Sequence, residues 1–202
     1  MQKILVATTN PGKAAEIAHL LSDLKVEVLS LRDVHVTDDV EESETTYKGN
    51  SQKKALFYAK KSGLPVVTDD GGIEIEALGG MPGLHSKRWV GEPSTDKKIL
   101  EKMHQVAKEL KDNRTAYFKT VVSLGFPDGR VFSTSGQVKG IIAKKPLVKL
   151  MSGFPYRSYF YLPQIKKYYH ERDLTEEEMK EYNHRYIAIA KLKKIIKKEL
   201  HI

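Results

Sequence analysis

The strand-like run Leu64-Pro65-Val66-Val67-Thr68 leads straight into Asp69-Asp70-Gly71-Gly72. Two adjacent carboxylates repel each other, so a chain that sets such a pair at a strand end needs a cation for them to share. The two glycines behind them let a ligand approach the backbone where a side chain would push it away. Strand, acid pair and glycines together describe a divalent-metal and phosphate site. The plainer reading is a polar turn that uses Asp as a turn former. Other phosphate-suited segments in the chain favour the first.

The surrounding pattern sets the fold. Ile4 to Ala7 reads as a strand, and Asn10 can cap a helix that opens with Pro11 and runs to about Asp23. Val26 to Leu29 continues as a strand. A second helix begins near Thr45 and ends before Gly63, with Tyr47, Ser51, Ala55 and Tyr58 or Ala59 on one face. Ile73 to Ala77 alternates apolar with acidic residues like a further, half-exposed strand. Ser94 can cap a helix ending near Leu110, and residues 115–126 and 130–142 form strands joined by the hairpin signal Pro127-Asp128-Gly129. A polar loop holding Gly153 to Phe160 then precedes a final helix from about Thr175. Strands separated by helices, followed by a hairpin, predict an α/β fold on a mixed sheet. A chain of 202 residues without repeat or linker fits one domain over residues 1–202.

Composition narrows the chemistry. With no cysteine, disulfides, thiolate zinc and a cysteine nucleophile are excluded. A formal charge of +8 suits an anionic partner. Much of that excess lies on Lys191, Lys193, Lys194, Lys197 and Lys198, interleaved with Ile189, Leu192 and Ile196 at helical spacing. A docked helix with a solvated basic face explains this better than a nucleic-acid surface. No leader or long apolar stretch is visible, so the expectation is a soluble cytoplasmic protein that works away from membranes.

Three further segments bear on such a site. Thr8-Thr9-Asn10-Pro11-Gly12-Lys13 makes a strand-to-helix turn whose free N–H groups and helix dipole favour phosphate, with a lysine beside it. It lacks the glycine spacing of a Walker A loop. Glu41, Glu42 and Glu44 precede the second helix, and Lys54 sits mid-helix beside Ala55. His184-Arg185 lies among small and apolar residues near the start of the last helix. Singly, each reads as capping, packing or solvation. With the acid pair they outline a polyphosphate clamp.

In order and spacing these segments resemble the inosine triphosphate pyrophosphatase family over nearly the whole chain. The likeness runs through Ala7 to Lys13, Thr46-Tyr47, Asn50, Lys54-Ala55, Asp69 to Gly72, Leu78 to Gly83 and Ser86 to Trp89. It ends with Gly153-Phe154, Tyr156, Phe160 and His184-Arg185. It implies Mg²⁺-dependent hydrolysis of a non-standard purine nucleoside triphosphate, such as an inosine or xanthosine triphosphate, to monophosphate and pyrophosphate. It implies an elongated mixed sheet flanked by helices, two lobes around a central cleft, and a homodimer. By position, Glu42, Asp69 and Asp70 match the metal-binding acids, with Asp70 also the general base. Lys13 and Lys54 match the catalytic cations. Thr8, Asn10, Lys13, Lys54, Gly71 and Arg185 fall at the triphosphate, and Phe154, Tyr156, Arg157 and His184 at the base.

The chain departs from the family's pattern in a cluster. Gly153-Phe154-Pro155-Tyr156-Arg157-Ser158 stands where the family has Gly-Phe-Gly-Tyr-Asp-Pro. Arg157, which only donates hydrogen bonds, thus replaces a carboxylate acceptor. Met179 stands for a lysine, with Lys180 one residue away. Asn183 and Gly71 stand for serines, and Gly49 for a glutamate. Two rival readings are a non-catalytic nucleotide sensor of the same fold and a nucleic-acid-binding protein using the basic last helix. Retained Glu42 and Asp70 weigh against the first, and the lack of a base-stacking or groove-reading motif beside the lysines against the second.

Overall fold

The computed structural model describes residues 1–147, 151–170 and 173–202. Seven strands among them are β1 (Gln2–Val6), β2 (Val26–Ser30), β3 (Val66–Ile75), β4 (Thr115–Gly125), β5 (Val131–Ile142), β6 (Phe160–Leu162) and β7 (Lys167–Tyr168). The helices are α1 (Pro11–Leu21), α2 (Tyr47–Ser62), α3 (Asp96–Glu109), α4 (Glu176–Tyr182) and α5 (His184–Leu200). The strands form one mixed sheet in the order β2-β1-β3-β4-β5-β6-β7. β1 pairs in parallel with β2 and β3, whereas β6 runs antiparallel to β5 and β7. The α/β class and mixed sheet expected from the sequence are therefore present.

The chain divides into two compact units. One comprises residues 1–70, 120–136 and 185–202, the other 71–119 and 137–184. The first unit is layered by strand alternation. Ile4 and Val6 of β1 join Val67 of β3, Val122 and Leu124 of β4, and the apolar faces of α1 and α5 in one core. Leu5 and Ala7 point the other way, with Val66, to meet Tyr58 and Ala59 of α2. Successive side chains on a strand face opposite sides, so one sheet feeds two helix layers. The apolar stripe Ala188, Ile189, Leu192, Ile196 and Leu200 docks α5, as expected for that lysine-rich helix. Gly125 sits where a Cβ would come within 2.8 Å of the Ala55 backbone, so its bare backbone sets the distance between β4 and α2.

In the second unit α3 packs on a 3₁₀ turn over residues 155–159. Phe118, Phe160 and Tyr169 form an aromatic cluster with ring centroids 4.7 to 5.8 Å apart. No helix among the described residues is long and apolar enough to cross a membrane.

Three expectations need correction. The acid pair does not end a strand: β3 runs unbroken from Val66 to Ile75, because Gly71 and Gly72 stay out of the left-handed region. The segment Gly153 to Phe160 is no open polar loop, since Pro155 to Phe160 are all buried. The last helix is two helices broken at Asn183. α4 begins with a reciprocal Thr175–Glu178 capping box, and α5 starts at His184.

Candidate active site

β3 carries Asp69 and Asp70 side by side, and strand alternation sends them to opposite faces. Asp69 lies on the α1 and α5 side with Val67, and Asp70 on the α2 side with Val66 and Thr68. The two carboxylates thus keep separate company rather than sharing one cation.

Asp69 is a buried anion held by four donors. Lys13 Nζ reaches Oδ2 at 2.6 Å, Thr120 Oγ1 donates to Oδ1 at 2.7 Å, and Arg185 contributes Nε at 2.8 Å and Nη2 at 3.4 Å. Arg185 Nη1 also meets Glu16 Oε2 at 2.5 Å. Burial alone would raise the Asp69 carboxyl, but the charges and hydrogen bonds of Arg185 and Lys13 outweigh it and hold it well below 3.8. Lys13 is aimed from the first turn of α1, where Asn10 Oδ1 accepts from the Lys13 amide at 3.1 Å. Thr8 Oγ1 accepts from the Asn10 amide at 3.2 Å and fixes the turn before it.

Asp70 belongs to a second group. Lys54 Nζ touches Glu42 Oε1 at 2.8 Å, the Asp69 carbonyl at 3.1 Å and Asp70 Oδ1 at 3.4 Å. Burial pushes the Asp70 carboxyl up, Lys54 opposes it and Glu42 adds to it, so its ordinary 3.8 is raised. Burial acts downward on Lys54, yet Asp70 and Glu42 leave its ammonium raised overall. Thr68 Oγ1 clamps α2 to β3 beside this group by donating to the Ser51 carbonyl at 2.7 Å. Asn50 Oδ1 accepts from the Glu44 amide at 3.0 Å and ties the segment bearing Glu42 to the start of α2. Gly49 makes that approach possible, because a Cβ there would meet Glu44 Cβ at 2.8 Å.

Among the described residues, no three side chains of the metal-ligating kind converge. Two carboxylates, Glu42 and Asp70, do meet at one cation, which is Lys54. A pair of carboxylates completed by phosphate and water is a donor set that suits Mg²⁺.

The second unit holds the other expected residues. Arg157 is 2% exposed, its guanidinium 4.0 Å from the Phe154 ring centroid and 4.6 Å from that of Tyr169. Tyr169 Oη and His184 Nδ1 are 2.7 Å apart, and His184 stacks on Phe118 at 5.1 Å. Tyr156 donates to the Ser86 carbonyl at 2.6 Å, and burial pushes its phenol far up. Gly71 lies in extended β3, half-buried. Lys180 is exposed on regular α4, with Met179 preceding it half-buried.

Sequence reasoning missed Thr120 and the engagement of Glu16. A carboxylate on the apolar face of α1 beside Ile17 and Leu20 was a visible signal for Glu16. Nothing in the sequence marks Thr120, one of several polar residues along β4.

A sequence model of the Ham1 family matches residues 4–195. A dITP/XTP pyrophosphatase of Desulforamulus reducens is 35% identical over 198 residues, 96% of this chain and 95% of that protein. One from Halalkalibacterium halodurans is 37% identical over 198 residues, covering 96% and 98%. A HAM1 protein from Coxiella burnetii superposes with a TM-score of 0.82 at 31% identity, over 98% of this chain and all of the other.

Proposed function

Because the chain belongs to the Ham1 family, we propose that it is a nucleoside triphosphate pyrophosphatase. Its substrate carries a non-standard purine, and water cleaves the bond between the α- and β-phosphates to give monophosphate and pyrophosphate. The observation that carries the reading is the division of Asp69 and Asp70. One is an anion saturated by cations, and the other is a carboxyl raised by burial and by Glu42. Environments that separate two neighbouring carboxyls in this way suit an acid–base role for the raised one.

Asp70 orients the attacking water and takes its proton as the oxygen closes on the α-phosphorus. Lys13, Lys54 and Arg185 supply fixed positive charge toward the phosphates, and Thr8, Asn10 and the Gly71 backbone supply polar and uncrowded contacts. Glu42 and Asp70 would hold Mg²⁺, which when bound neutralises charge on the phosphate oxygens and the leaving pyrophosphate. Asp69, expected beside them as a ligand, serves this reading through its grip on Lys13 and Arg185.

Phe154, one face of whose ring lies under the Arg157 guanidinium, offers its other face to the base, and Tyr156, Arg157 and His184 complete the base-reading set in this proposal. Arg157 can only donate, so it favours a base edge rich in acceptors. The reading extends to a cytoplasmic homodimer in which all 202 residues serve one catalytic domain. Neither membrane nor nucleic acid is a partner in it.

The test is a panel of standard and deaminated purine triphosphates with Mg²⁺, followed by pyrophosphate release, on wild type and Asp70→Asn together. Pyrophosphate from none of them sinks the proposal. Full turnover by Asp70→Asn sinks the assignment of the base.

A further inference from the structure

Lys54 has three ammonium hydrogens, and the structure gives it three oxygen partners. Glu42 Oε1, the Asp69 carbonyl and Asp70 Oδ1 lie at 2.8, 3.1 and 3.4 Å. A lysine ammonium has no further donor to offer once three acceptors are engaged. Its side chain is only 13% exposed, so solvent does little to screen the arrangement. The carboxylates it bridges are the two that suit a divalent cation. Asp69's own carboxylate, on the other face of β3, is already engaged by Lys13, Thr120 and Arg185.

We propose that Lys54 and the divalent cation are rivals for Glu42 and Asp70, so that the lysine holds free metal ions out until a triphosphate accepts its ammonium. This inference rests on the proposed metal role of those two carboxylates. The physical reason is charge counting at short range. Two carboxylates and one ammonium leave a single net negative charge for a dication, and the dication must sit against a fixed positive neighbour. A triphosphate reverses both terms, since its oxygens give the ammonium new partners and free the carboxylates. Metal then enters with its nucleotide rather than before it. Lys54 is on this account both a phosphate ligand and the group that sets the order of binding.

The experiment measures Mn²⁺ binding without nucleotide, by isothermal titration, on wild type, Lys54→Met and the double variant Lys54→Met/Glu42→Gln. Methionine keeps the length and apolar stem of lysine and removes its charge. Lys54→Met should bind Mn²⁺ at least about tenfold more tightly than wild type, as expected when a like charge at contact distance is removed. The double variant should lose that gain. Equal or weaker binding by Lys54→Met overturns the rivalry, and so does no binding by any of the three, because removing the lysine then admits no metal. The rise in Tm that Mn²⁺ produces gives a second readout, larger in Lys54→Met than in wild type, and reports on folded protein alone. Pyrophosphate release by wild type, measured apart, tests the proposed function without touching the rivalry.

Discussion

Arg185 Nε donates to Asp69 Oδ1 at 2.8 Å, although 116 residues of chain separate them. Both side chains are almost wholly buried, and Glu16 takes another face of the same guanidinium. Breaking one member of a buried ion pair leaves the other without compensation, at a cost of about 3–5 kcal/mol.

Asp69→Asn should therefore lower stability strongly. At about 2–4 °C of Tm per kcal/mol for a chain of this size, the fall is about 10 °C. Thermal unfolding by circular dichroism measures it, and a change under about 2 °C would contradict the anchoring role.

Asp70→Asn should behave in the opposite sense. Burial has raised the Asp70 carboxyl, so its ionised form costs folding energy at neutral pH. The substitution should leave Tm unchanged or higher while turnover falls by about 10²-fold or more.

The pH dependence separates the same two residues. Asp69 is depressed below 3.8, so its contribution is complete above that value and is lost as pH falls through its lower folded value. Asp70 is raised above 3.8, so the folded state takes up its proton first, and stability from this group increases as pH falls through its folded value toward 3.8. With chelator present, the second contribution should vanish from the Tm profile of Asp70→Asn. A profile identical to wild type would refute the assignment.

Arg157→Asp should change base preference. Replacing donors by an acceptor favours a base edge that donates, and a paired contact of this kind is worth about 1–3 kcal/mol. The ratio of kcat/KM for xanthosine against inosine triphosphate should fall at least about tenfold. Taking a ratio cancels any loss of folded protein. An unchanged ratio removes Arg157 from base selection.

How much of this was legible beforehand follows from what sequence periodicity encodes. The helices and strands of the first unit have clean apolar spacing and capping residues such as Asn10, so they could be read directly. The Lys13, Asp70 and Arg185 set was legible as charges near predicted strand and helix ends, and Lys54 as a mid-helix lysine among small residues. Its wiring was not. Adjacency in sequence suggested that Asp69 and Asp70 share a cation, yet adjacency within a strand means opposite faces. That inversion was hidden because Gly71-Gly72 looked like the end of the strand rather than its middle. The buried turn at 155–159 was also hidden, since its polar residues are internal for reasons set by distant aromatic rings.

The bare Cα of Gly49 ties two segments of the chain into one unit of change. Where the resembling family carries glutamate, any side chain here meets Glu44 Cβ and Cγ within 3.1 Å. Restoring glutamate alone would displace the segment that brings Glu42 to Lys54, whereas restoring it together with glycine at 44 removes both of those contacts. Positions 44 and 49 are therefore open to exchange only as a pair, and the order in which they change decides whether every intermediate keeps the Glu42–Lys54 contact.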